Sequence, residues 1–76
     1  MISQEQFIND LQTMLKTDEE VAIDMDLLDI EAWDSFSMVA FMAMTEEKYQ
    51  VKLDKFTVAE AVLVEDLYDA VVNAAG

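Results

Sequence analysis

The pair Asp34-Ser35 stands where acidic, irregular sequence gives way to the largely apolar run of residues 36–44. An aspartate directly before a helix-favouring run suits an N-cap, because its carboxylate can accept a backbone N–H from the first turn. The Ser35 hydroxyl would then sit at the exposed start of a helix. A serine so placed can attack a substrate or can simply carry an attached group. Attack requires a base, yet the chain has no histidine, no glycine elbow surrounds Ser35, and its four lysines are distant in sequence. Attachment requires none of these. A phosphate esterified there would face unpaired backbone N–H groups and the favourable end of the helix dipole, partly offset by repulsion from Asp34. The residue types therefore mark a modification site without identifying the modification. A plain helix cap with no further role fits the same pattern.

The remaining chemistry-bearing residues are carboxylates. Asp24, Asp26, Asp29 and Glu31 resemble a calcium loop in density, but Leu28 takes the fifth loop position, Asp29 the glycine position and Ser35 the twelfth. No metal site is expected. With 17 acidic residues against four lysines and a net charge of −13, the chain is a poor partner for nucleic acid or an anionic membrane. The same charge favours solubility and steering toward basic surfaces. Cysteine is absent, which excludes disulfides and thiolate metal centres. An enzyme is not expected. No apolar run reaches spanning length and the N-terminus lacks the basic region of a secretory signal, so a cytoplasmic monomer is expected.

Seventy-six residues suit one domain, 1–76, with a thin core. Ser3 and Gln6 have capping-box spacing, and Phe7, Ile8, Leu11, Met14 and Leu15 follow the helical period, predicting a first helix over 4–17. Residues 18–34 mix Ile23, Leu27, Leu28, Ile30 and Trp33 with acids. They read as a long loop pinned to the core by those apolar side chains. Strong helix formers without glycine or proline predict a second helix over 35–48. It is too apolar for a single buried stripe, and Met38, Met42 and Met44 on it suit either core filling or pliable contacts. Thr57-Val58-Ala59-Glu60 has capping-box spacing and predicts a short third helix over 57–62. A fourth is expected over 65–74, with Leu67, Tyr68, Val71 and Val72 on its apolar face and Gly76 as a terminal cap. The fold class is all-α: a small four-helix bundle with a long first connection.

Taken together, these residues resemble the acyl and peptidyl carrier proteins. Asp34-Ser35-Phe36 matches the Asp-Ser-Leu motif that opens the family's second helix, and Trp33 resembles its Trp-Asp-Ser form in some stand-alone carriers. Val39 matches the valine four positions after the serine. Glu46-Glu47-Lys48-Tyr49 resembles the family's Glu-Glu-x-Phe ending, and Leu63-Val64-Glu65-Asp66-Leu67 its Thr-Val-x-Asp-Leu opening of the last helix. The resemblance implies a 4′-phosphopantetheine arm on Ser35, installed by a phosphopantetheinyl transferase and carrying acyl or aminoacyl groups as thioesters. It further implies partners in lipid or secondary-metabolite biosynthesis: a loading ligase, and acyltransferases or condensing enzymes. Trp33, Asp34 and Phe36 would serve the motif and loading, and Ala40, Phe41, Glu46 and Glu47 partner recognition. Met38, Met42, Leu27, Leu28 and Ile30 are candidates for sheltering the arm, with core the favoured role for the three loop residues. Ala40 and Ser37 replace residues that are commonly acidic, and Leu63 replaces a threonine N-cap. These departures point to a specialised carrier rather than one of primary fatty-acid synthesis. The competing account is a helical adaptor whose Ser35 is never modified.

Overall fold

A computed structural model describes residues 2–75. The elements are α1 (Gln4–Leu15), a 3-10 turn (Leu27–Asp29), α2 (Ser35–Met44) continued by a π turn (Thr45–Tyr49), α3 (Lys55–Glu60) and α4 (Val64–Ala75). Together they form a small all-α bundle, with no strand among the described residues. The terminal cap expected at Gly76 lies outside those residues.

Helix boundaries follow the local chemistry. Ser3 Oγ accepts the Gln6 N–H at 3.1 Å, as the capping spacing predicts. α1 ends before 17 because Lys16 turns left-handed at φ 54°, and the Thr17 N–H returns to the Gln12 carbonyl at 3.4 Å. α2 keeps α geometry only to Met44. Thr45 is fully buried, its hydroxyl donates to the Met42 carbonyl at 2.9 Å, and the chain widens into the π turn. Gln50 then turns left-handed at φ 57°. The third helix begins earlier than its Thr57 spacing suggests: Asp54 caps it, accepting the Phe56 N–H at 2.8 Å. It stops at Glu60, because residues 61–63 must run extended to reach α4.

Only glycine adopts the left-handed conformation freely, and no described residue is a glycine. Gln50 is exposed, and its conformation costs about 1–2 kcal/mol. Glycine would remove that cost and add about 0.5–1 kcal/mol of lost chain entropy. Gln50→Gly is thus expected to stabilise the fold by about 0.5 kcal/mol, read as a higher urea midpoint at unchanged slope.

The long connection between α1 and α2 is held by backbone as well as by side chains. The N–H groups of Val64 and Glu65, at the start of α4, donate to the carbonyls of Met25 and Ile23 at 2.9 and 2.8 Å. Those are donors a helix cannot satisfy internally. Leu27 N–H donates to the Val62 carbonyl at 2.9 Å, and Asp26 and Leu63 form an isolated antiparallel bridge. At its other end the loop is tied to α1, where the Gln12 side chain accepts the Val21 N–H at 2.8 Å. In the 3-10 turn, residues three apart share a side. Leu27 and Ile30 are accordingly buried, whereas Leu28 is 91% exposed. The core role favoured for the three loop residues therefore holds for Leu27 and Ile30 and fails for Leu28.

A chain of edge-to-face aromatic contacts crosses the core. Tyr68 meets Phe7 at 5.4 Å between ring centres, Phe7 meets Phe41 at 6.0 Å, and Phe41 meets Trp33 at 5.9 Å. It links α4, α1, α2 and the end of the loop. Phe41 is 0% exposed and so is not part of any surface a partner could read. Sequence offered no way to see this, because α2 is apolar on all sides.

Candidate functional site

Ser35 is the first residue of α2 and is exposed. Asp34 caps the helix as its spacing predicts, with the carboxylate accepting the Ser37 N–H at 2.8 Å. The Ser37 hydroxyl lies 3.0 Å from the same oxygen and 2.6 Å from the Ala32 carbonyl. The cap is thus occupied by Ser37, two residues beyond Ser35. Before the motif, the Trp33 ring rests partly buried against Phe41, while the backbone N–H of Trp33 donates to the Ile30 carbonyl at 3.0 Å.

These contacts also set the acidity of Asp34. Hydrogen bonds from the Ser37 N–H, then from the Ser37 hydroxyl, hold its pKa below the ordinary value of 3.8. Asp66 is lowered in the same way by the N–H groups of Leu63 and Val62, at 2.9 and 3.0 Å. The Asp66 carboxylate thus closes the return half of a capping box, holding the N–H groups just before α4, while the first donors of the helix go to the Met25 and Ile23 carbonyls. Each carboxylate therefore stabilises the fold fully above its unfolded pKa and loses that contribution as pH falls through the lowered folded value. Asparagine caps about as well as aspartate without titrating. Asp34→Asn is expected to match the wild type at pH 7 and to lose less stability on acidification, measured by urea unfolding at stepped pH.

Beside Ser35 lies an open groove of about 410 Å³ between the 3-10 turn, the start of α2 and the end of α3. Leu28, Met38, Ala59 and Val62 give it apolar lining, and Asp34 and Glu60 polar lining. The structure therefore brings Trp33, Asp34 and Ser35 together with the sheltering candidates Leu28 and Met38, and adds Ala59 and Val62. Sequence had not placed Ala59 or Val62 here, because only the early end of α3 and the backbone pairing at Val62 bring them to it.

Other candidates lie elsewhere. Phe36 is 82% exposed and Val39 63% exposed on the outer side of α2. Ala40 is half-buried in a second groove, of about 340 Å³, against α1. Glu46 and Glu47 are exposed on the π turn rather than on the regular helix, and Glu47 lines that second groove. The turn is fastened to α1 at Asp10, which accepts the Tyr49 hydroxyl and pairs with Lys48 Nζ at 3.4 Å. Burial, with the adjacent Asp10 carboxylate, pushes the Tyr49 phenol far above its usual range, so the donor stays protonated. Among the described residues no three acidic side chains converge to hold a metal ion, the 24–31 cluster included. Nor is any helix among them long and apolar enough to cross a membrane. No protein-family model, curated protein or solved structure matches the chain.

Proposed function

We propose that the chain is a carrier: Ser35 holds a 4′-phosphopantetheine arm, and partner enzymes act on an acyl or aminoacyl group tethered to it. One observation carries this reading above the others. An exposed serine hydroxyl stands at the first residue of a capped helix, next to an open groove of mixed polarity. The whole-chain resemblance to carrier proteins, in acidity, helix order and the Asp34-Ser35-Phe36 motif, points the same way.

The residues fit such an arm. The Ser35 hydroxyl is reachable by a transferase, and the Asp34 carboxylate is directed to Ser37, leaving the serine unencumbered. Leu28, Met38 and Val62 offer apolar contact along the groove that begins at Ser35. When bound, the group supplies the thiol that a cysteine-free chain lacks, and cargo is held on it as a thioester. The protein itself performs no bond chemistry on the cargo. Its contribution is a recognisable body and a high effective concentration of tethered substrate. Asp34 keeps the helix start rigid and carries a negative charge beside the loading position. The exposed side chains of Phe36, Val39, Glu46 and Glu47 form the surface on which transferase, ligase and condensing enzymes would dock.

The test is direct. The unmodified protein is incubated with coenzyme A, magnesium and a broad-specificity phosphopantetheinyl transferase, and the intact mass is measured. A single phosphopantetheine increment is expected. A folded chain that gains no mass would overturn the carrier reading in favour of an unmodified adaptor that docks through its exposed apolar side chains.

A further inference from the structure

We infer that Ser37 is a positioning residue for Ser35, a role that rests on the carrier reading. Its hydroxyl closes a bracket around the attachment serine. On one side of Ser35 lie the Ala32 carbonyl and the Asp34 carboxylate, and on the other lies the body of α2. Ser37 Oγ spans the two, 2.6 Å from Ala32 O and 3.0 Å from Asp34 Oδ1. Its single proton is shared between these two acceptors. The Ser37 backbone N–H, at 2.8 Å from the same carboxylate oxygen, makes a further bond across the bracket.

The Asp34 cap by itself would fix only the helix start. The bond to Ala32 additionally fixes the direction from which the loop approaches, because it joins a residue two positions before the cap to the third residue of the helix. Trp33 lies inside the bracket, and its ring is held separately against Phe41. Two anchors of different kinds therefore converge on the peptide that presents Ser35. One is apolar and one polar, and only the polar one depends on residue 37. A transferase must align the serine oxygen with a phosphorus atom, and small losses of alignment are costly in rate. Holding the serine still is thus a contribution Ser37 can make without touching the reacting groups.

Ser37→Ala removes the hydroxyl and leaves the Asp34–N–H cap and all apolar contacts in place. The rate of loading, as kcat/KM for the protein, is expected to fall about two- to twelvefold, the fold-change that one net hydrogen bond converts to. The KM for coenzyme A should stay unchanged, and Ser37→Thr, which keeps a hydroxyl, should restore most of the rate. Trp33 is the single tryptophan of the chain, so acrylamide quenching of its fluorescence reports on the bracket independently of loading. Quenching should rise in Ser37→Ala and return toward wild type in Ser37→Thr. Circular dichroism establishes that each variant is folded, so a lost folded fraction cannot mimic the slower rate. Loading of Ser37→Ala at the wild-type rate, or a threonine variant as slow as the alanine one, would overturn the inference while leaving the carrier reading intact. If the wild type itself gains no mass, the carrier reading fails, and the positioning role fails with it.

Discussion

Ser35→Ala is expected to abolish phosphopantetheine loading completely while leaving the fold unchanged. The loss is total because the proposed attachment is a phosphoester bond to one oxygen, and alanine has none. The fold survives because nothing structural depends on that hydroxyl: Ser35 is exposed, and the cap at the start of α2 runs from Asp34 to Ser37. Alanine also has high intrinsic helix propensity, so no loss of helix stability is expected. The comparison with Ser37→Ala sharpens the result. Two serines lie two residues apart, one free and one engaged in the cap, and substituting them should have opposite signatures. Ser35→Ala loses all loading with stability retained; Ser37→Ala loses part of the rate and slightly loosens the segment. Intact mass after exhaustive incubation measures the first, and thermal unfolding followed by circular dichroism measures its structural innocence. Any residual increment in Ser35→Ala would place the attachment elsewhere.

Phe41→Ala should be the most damaging single truncation near the site. Phe41 is 0% exposed and packs edge-on against both Phe7 and Trp33. Emptying such a position typically costs about 3–5 kcal/mol. A domain of 76 residues is expected to hold about 4–11 kcal/mol in total, at 0.05–0.15 kcal/mol per residue. The substitution therefore removes about a quarter of the stability or more and leaves a larger unfolded population under mild stress. Phe36→Ala provides the contrast. That ring is 82% exposed, and its loss should change stability by no more than about 0.5 kcal/mol. Urea midpoints for the two variants measure the difference. Equal midpoints would mean that Phe41 is not in the core.

The contrast between these two phenylalanines also marks where sequence reading succeeds. α1 was legible because Phe7 and Leu11 recur on one face with polar residues between them, and Ser3 announces the start. The start of α2 was legible from Asp34 for the same reason. Within α2 no polar residue follows Ser37 to tell inside from outside, so Phe36 and Phe41 look alike until their neighbours are in place. The start of α3 was missed because two capping signals, Asp54 and Thr57, lie three residues apart. The one that won lets Val58 reach the core. The π turn left no signature, since it arises from tertiary demands: a buried Thr45 on one side and the Tyr49–Asp10 bond on the other. The exposed serine and its cap were readable; the groove beside it was not, because its far wall comes from residues 59–62.

The pairing between the first loop and the start of α4 also constrains the order in which the molecule can be completed. Among the described residues, the carbonyls of Ile23 and Met25 find their donors in Glu65 and Val64, about 40 positions further along the chain. During synthesis the loop leading to Ser35 thus lacks its partners until residues 64 and 65 have emerged. The same long sequence separation makes this docking a late event in folding, after the local helices have formed. A nascent or C-terminally shortened chain would display the Asp34-Ser35 sequence without the docked loop and without the groove wall from residues 59–62. An enzyme that recognises the folded surround, rather than the local sequence, would act only on chains in which residues 59–65 are already docked against the loop.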